Sequence, residues 1–291
     1  MTTPSAPSAD SPLVPTAALY VVATPLGHAQ DITLRALTIL GAVDIVAAED
    51  TRHSQKLLDA HGIRTRMLAL HEHNEQQGAT EVIRLLAAGK HVGLITDAGT
   101  PAISDPGARV VARVQAAGYR VVPVPGPSAV ITALSASGLS APRFHFAGFL
   151  PTKSAARRTA IEALRSIDAV LVFYEAPHRI RECVEDMAAT LEPERDIVFC
   201  RELTKLFEQI VRMPLAEAPA WLAADTNRQR GEFVLLVGPA PIGEGIAPEA
   251  QRMLKLLLEE LPVKTAARLV SEITGASKNA LYDFALELRN K

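Results

Sequence analysis

Between Ala18 and Val124 short apolar runs alternate with helical periods of about ten residues, the pattern of βαβ units that build a mostly parallel sheet. "LYVVAT" reads as a strand and "DITLRALTIL" as a helix with Asp31 at its N-cap and Gly41 at its end. The strand "VDIVAAED" and the helix "HSQKLLDAHG" follow, then "RMLAL", the polar loop "HEHNEQQG", the helix "TEVIRLLAAG" and the strand "KHVGLIT". "ARVVARVQAAG" and "YRVVPVPG" repeat the cycle. Gly41, Gly62, Gly89 and Gly118 stand where helix ends need a residue that tolerates positive φ.

The texture changes after "GPSAVITALSASGL". "RFHFAGFLP", "AVLVFYEAP", "DIVFCREL", "FEQIVRMP" and "GEFVLLVGP" read as strands, some separated by helices and some nearly adjacent. "RELTKLFEQIVR" reads as a hairpin, which makes the second sheet mixed. The expected organisation is a Pro/Ser/Ala-rich disordered tail at 1–17, an N-terminal α/β domain at 18–125 and a C-terminal α/β domain at 126–240. Past the joint "GPAPIGEGIAP" comes a helical tail domain at 246–291. Aromatic residues are only 4% of the chain, so Ala, Val, Leu and Ile must build the cores.

Residues 93–111, "GLITDAGTPAISDPGARVV", join a strand to a helix through a loop dense in Gly, Pro, Ser and Asp. The order Gly93, Gly99, Gly107 does not make the GxGxxG of a dinucleotide site, and "AGFLPTKS" has Ala147 and Thr152 where a P-loop needs glycines. Ser104, Asp105 and Pro106 suit the N-cap and first turn of the next helix. That leaves a rigid ledge of amides and carbonyls at the carboxyl end of a parallel strand, where open α/β sheets bind ligands. Such a ledge suits a zwitterionic ligand without phosphate. "ATPLGHAQDIT" and "PVPGPSAVITAL" are two further Pro/Gly loops at strand ends, able to converge on the same crevice.

Other features exclude alternatives. "HEHNEQQ" is not HExxH, because Glu75 stands where the second histidine belongs. Cys183 and Cys200 have no paired spacing and read as buried thiols in a reducing compartment. Net charge is −2, so a polyanion must meet a local basic patch. Arg143, Lys153, Arg157 and Arg158, with no carboxylate between Arg143 and Ala160, form the expected patch. No run is long and apolar enough to span a membrane and the N-terminus lacks a secretory pattern, so a cytoplasmic protein is expected.

The segments "TPLGHAQDITLRAL", "AAEDTRHS", "LHEHNEQQ", "TDAGTPAISDPG", "PVPGPSAVITALSASGL", "FAGFLPTKSAARR", "FYEAPHR", "CRELTKLFE" and "GEFVLLV" stand in one order from Thr24 to Val237. Together they resemble the tetrapyrrole-methylase-like superfamily of S-adenosyl-L-methionine-dependent methyltransferases (class III). The likeness is strongest to its branch that methylates a cytidine ribose 2′-oxygen in 16S ribosomal RNA. The resemblance implies two α/β domains with the cofactor between them, a homodimer, and the small ribosomal subunit as partner. It implies a cofactor cleft made by Pro25, Asp97, Ala98, Gly99, Pro101, Ser104, Asp105, Pro106, Ser128, Ala129 and Tyr174.

Methyl transfer from a sulfonium needs no metal, because the leaving group is a neutral thioether; alignment is most of the catalysis. A ribose hydroxyl is a poor nucleophile, so a base or a cation should assist. Asp50, Arg52 and Glu175 are the expected catalytic residues, with Glu49, Asp97 and water as further proton acceptors. Substrate contacts are expected from Glu49, His53, His71, Asn74, Lys153, Arg157, Arg158, His178, Arg179, Arg201 and Lys205. The tail "TAARLVSEITGASKNALYDFAL" reads as helix, turn, helix, either an RNA contact or a dimer prop. Two alternatives remain: a methylase of this fold acting on a tetrapyrrole or a protein side chain, and a ribosome-binding module without catalysis.

Overall fold

The computed structural model describes residues 17–71, 74–140, 142–239 and 248–289. The expected disordered tail falls outside these residues apart from Ala17, as do Glu72 and His73 of the polar loop and most of the joint before the helical tail.

The first sheet contains β1 (Ala18–Val22), β2 (Ile45–Ala48), β3 (Arg66–Ala69), β4 (Val92–Ile95) and β5 (Arg120–Val124). They lie in the order β3-β2-β4-β1-β5, and every neighbouring pair is parallel. β2 and β4 are buried along their whole length, as strands covered on both faces must be. One face packs Tyr20, Val22, Val46 and Ala48 on α1 (Leu34–Ala42) and α2 (Thr51–Ala60). The other packs Leu19, Ile45, Ala47 and Leu94 on α3 (Glu75–Ala87) and α4 (Ala108–Ala116). Each Leu, Ile or Val so buried contributes about 1.5–3 kcal/mol.

The second sheet contains β6 (Phe144–Phe149), β7 (Val170–Glu175), β8 (Asp196–Arg201), β9 (Gln209–Pro214) and β10 (Phe233–Val237), in the order β6-β7-β10-β8-β9. β6 and β7 are parallel and the other pairs antiparallel, so the sheet is mixed, and β8–β9 is the expected hairpin. α5 (Ala129–Ala136) covers one face through Val130 and Ala133. α6 (Ser154–Leu164), α7 (Ile180–Thr190) and α8 (Ala218–Ala223) cover the other, where Cys183 is buried; Cys200 is buried on the α5 side. The tail forms α9 (Pro248–Glu260), α10 (Val263–Thr274) and α11 (Lys278–Arg289) around Leu254, Ala266, Val270 and Leu281. Among the described residues no helix is long and apolar enough to cross a membrane.

Three local expectations need correction. Asp31 closes a short 3-10 turn, and α1 is capped by Thr33, whose Oγ1 accepts the Ala36 amide at 3.1 Å. Gly41 lies inside α1, whereas Gly62, Gly89 and Gly118 do end helices with positive φ. Ser104, Asp105 and Pro106 do not start a helix; α4 begins after Gly107, which has no side chain to cap it.

The basic patch is also corrected. Arg157 is 1% exposed and belongs to the packing of α6 on α7. Its Nε lies 2.7 Å from Asp186 Oδ2, and Nη2 lies 3.5 Å from Glu182. Arg158 also binds Asp186, at 2.6 Å, and Arg143 binds Asp168 at 2.9 Å. Burial alone would raise the pKa of Asp186, but the hydrogen bonds from Arg158, Arg157 and Ser154 outweigh it and hold the carboxyl below its usual range. A depressed folded pKa means stability that is present above the unfolded value and lost as pH falls through the folded one. Asp186→Ala therefore lowers unfolding free energy by about 3–5 kcal/mol near neutrality. In denaturant titrations the gap from wild type narrows below about pH 4.

Candidate active site

The two sheets face each other across a cavity of about 440 Å3. From the first domain it is lined by Leu26 after β1, Glu49 after β2, and Thr96 to Thr100, Ile103, Ser104 and Asp105 after β4. Ser128 and Ala129 open α5. The second domain adds Phe149, Tyr174 to Pro177, Cys200, Leu203, Lys205 and Glu232 to Val234.

The loop after β4 is pinned where Thr24 and Gly99 exchange two backbone hydrogen bonds of 2.9 and 3.0 Å. Thr100 Oγ1 donates to the Pro127 carbonyl at 2.9 Å, tying this loop to the entry of α5. Four non-glycine residues with positive φ occur among the described residues: Ala102 and Ser104 in this loop, Glu202 and Thr204 in the β8–β9 turn. Both loops contribute to the wall of the cavity. Each such residue stores on the order of 1–3 kcal/mol of strain, which surrounding contacts must hold.

The lining is acidic, with Glu49, Asp97, Asp105, Glu175 and Glu232 against one described cation, Lys205. Asp97 Oδ1 accepts the Asp50 amide at 3.2 Å, and Glu49 Oε2 accepts Thr96 Oγ1 at 3.3 Å. Burial, and then the charge of Asp97, raises the pKa of Asp105, partly offset by a hydrogen bond from Thr96. Burial, followed by the charge of Asp105, pushes the Tyr174 hydroxyl up to about 12, so it stays a donor. Glu175 is fully buried: Oε1 accepts the Ala176 amide at 2.9 Å and faces Arg179 Nε at 3.2 Å. Its Oε2 has no hydrogen-bond partner among the described residues. Lys205 Nζ binds Glu202 at 3.0 Å and Glu232 at 2.7 Å.

Of the expected residues, the cavity wall brings together Glu49, Asp97, Ala98, Gly99, Ser104, Asp105, Ser128, Ala129, Tyr174, Glu175 and Lys205. Pro25, Pro101 and Pro106 are not among the residues that line it. Asp50 is outside the wall, as the cap of α2: Oδ1 accepts the Arg52 and His53 amides at 2.8 and 3.3 Å, which hold its pKa down. A carboxyl held low by two amides is ionised and a weak proton acceptor. Arg52 and His53 are exposed on α2, where Arg52 and Lys56 flank a shallow depression against Met67 and Ala69.

Asn74 is used within its own loop, accepting the His71 amide at 2.8 Å and donating to the Ala69 carbonyl at 3.1 Å. Arg179 binds the Leu150 carbonyl at 2.5 Å and braces Glu175. Arg201 binds the Arg230 carbonyl at 3.3 Å. Lys153 and His178 are exposed. Sequence reasoning missed Thr96, Phe149, Leu203 and Glu232. Glu232 arrives because β10 lies between β7 and β8, which strand patterns alone do not reveal.

A parallel sheet facing a mixed one across an acidic cleft is the frame of a two-domain methylase. The family profile Tetrapyrrole (Corrin/Porphyrin) Methylases matches residues 18–219, and the RsmI C-terminal HTH domain matches 244–289. A uroporphyrin-III-C-methyltransferase structure from Thermus thermophilus shares the fold, with a TM-score of 0.57 at 21% identity over 76% of this chain and 94% of that one. The ribosomal RNA small subunit methyltransferase I of Vibrio cholerae is 52% identical over 96% of this chain and 98% of its own. That of Pseudomonas aeruginosa is 53% identical over 94% and 98%. The chain belongs to the tetrapyrrole methylase family and, within it, to the ribosomal RNA small subunit methyltransferase I family. Methylases of this fold use S-adenosylmethionine as methyl donor. The residues present fit that molecule: the wall carboxylates Asp97 and Asp105 for its cationic groups, and Leu26, Ile103, Phe149 and Leu203 for an apolar face.

The strained wall yields a test. At Gly231 φ is +88°, and a Cβ would fall 2.4 Å from Glu202 Cγ, displacing the carboxylate that holds Lys205. Gly89 has a similar φ of +78° but open space around its Cβ. Gly89→Ala should cost about 1–2 kcal/mol from backbone strain alone. Gly231→Ala should cost clearly more in the same denaturant titration.

Proposed function

We propose that the protein transfers the methyl group of S-adenosylmethionine to the 2′-oxygen of a cytidine ribose in 16S ribosomal RNA of the small ribosomal subunit. The whole-length likeness to ribosomal RNA small subunit methyltransferases supports this reading, and the acid-lined cavity is the observation that carries it. When bound, the donor supplies a methyl group on a sulfonium with a neutral leaving group.

The chain's own residues do the positioning. Asp97 and Asp105 face the donor's cationic groups, Ser104, Ser128 and Gly99 offer backbone contacts, and Tyr174 closes the cleft as an uncharged hydroxyl. The ribose proton goes to Glu49, Asp97 or Glu175, which line the cavity, or to water. RNA backbone approaches over the exposed cations Arg52, Lys56 and Lys153 with His53 and His178, while Lys205 reaches into the cleft. The work divides among domains at 18–125, 126–240 and 246–291. Exposed Ile131, Phe144, Leu206 and Phe207 on the second domain suit a homodimer contact. A ribosomal substrate implies action in the cytoplasm.

Methyl transfer from labelled donor to small subunits from a strain lacking this protein, followed by nuclease mapping, tests the reading. Label on a single ribose 2′-oxygen is expected; no label, despite measurable donor binding, would move the acceptor to another class. The cleft also predicts a pH effect. The anionic form of Asp105 favours a cation, so donor affinity is full above its raised pKa and falls as pH drops through it. The fall should begin above the ordinary carboxylate value of about 4. Asp105→Asn should flatten this part of the profile in calorimetric titrations.

A further inference from the structure

The polar loop that mimics a metalloprotease motif ends in Glu75, a residue the catalytic reading leaves without a task. Glu75 is the first residue of α3, is 6% exposed, and points at the start of α4. Its Oε1 accepts the amide of Gly107 at 2.9 Å and that of Arg109 at 3.1 Å. The Arg109 guanidinium lies 3.8 Å from Oε2 but is 80% exposed, so the backbone amides are the principal partners. α4 lacks a cap of its own because Gly107, at φ +128°, has no side chain. A carboxylate from another helix supplies that cap, and its charge is favourable at a helix N-terminus.

The position of this cap gives it consequence. Residues 99–107 run along the cavity between two anchors, the Thr24–Gly99 bridge at one end and Glu75 at the other. Between the anchors lie Ala102 and Ser104, at φ +70° and +64°, and the wall residues Ile103, Ser104 and Asp105. Strained backbone persists only where its surroundings over-determine it. A Cβ on Gly107 would sit 3.0 Å from Leu94, so no residue with its own capping side chain fits there without displacement.

We infer that Glu75 is a positioning residue for the methyl donor: it holds residues 99–107 in the shape that presents Ser104 and Asp105 to the cleft, acting through the backbone of Gly107 and Arg109. The inference rests on the cleft being the donor site. Losing the anchor lets the loop sample other shapes, and apparent affinity falls with the fraction of molecules still competent.

Calorimetric titration with S-adenosylmethionine, together with amide hydrogen exchange over 99–109, tests it. Glu75→Ala should raise the donor Kd by about tenfold or more and speed exchange in this segment. Glu75→Gln keeps an oxygen for both amides and should stay within about threefold of wild type. Leu86→Ala, in the last turn of α3 and buried away from the loop, should lower Tm yet leave Kd within about twofold, since its cost is a core cavity. If Glu75→Ala does not fold, Glu75→Asp decides: it keeps the charge but is too short to reach both amides, so binding should weaken. Unchanged Kd in a folded Glu75→Ala or Glu75→Asp protein, or an equal rise in Leu86→Ala, overturns the inference. Failure of the wild-type protein to bind the donor overturns the cleft reading first, and this one with it.

Discussion

An all-parallel sheet sends every strand out at the same edge, and the site depends on that constraint. The loops after β1, β2, β4 and β5 have no choice but to meet there, because each strand must be followed by a crossover on one face or the other. The meeting is made specific by short contacts between loops: Thr24 with Gly99, Thr100 with Pro127, Asp50 with Asp97. The second sheet then needs only to bring the ends of β7, β8 and the start of β10 to face this edge.

Charge is sorted by depth. Carboxylates gather inside the cleft, where a cationic donor fits, and many of the chain's arginines are tied to carboxylates elsewhere. Exposed cations lie outside the cleft, Arg52 and Lys56 on α2 and Lys153 before α6. Inside and outside thus favour ligands of opposite sign, and an RNA strand meets repulsion from the cleft interior unless the donor's positive charge is already there.

Much of the architecture was legible because hydrophobic period and glycine punctuation report directly on βαβ units. The ledge from Asp97 to Asp105 could be read for the same reason: it is local. What escaped is non-local. Arg157 looked like a surface cation because the carboxylates that bury it, Glu182 and Asp186, lie on another helix. Asp31 looked like a cap because it precedes an apolar run, yet Thr33 has the shorter reach to the first turn. Glu75 gave no signal at all, since its partners are two amides more than thirty positions away.

The order of the second sheet has a consequence for how the chain is made. β10 is hydrogen-bonded on one side to β7 and on the other to β8, which have no pairing with each other. A growing chain that has not yet emerged past Val237 carries two buried-type strand edges with nothing between them. The first sheet, complete by Val124, faces no such delay. During synthesis the vulnerable interval is therefore the translation of residues 201–237, when the first sheet can already be folded and the second waits for its last strand.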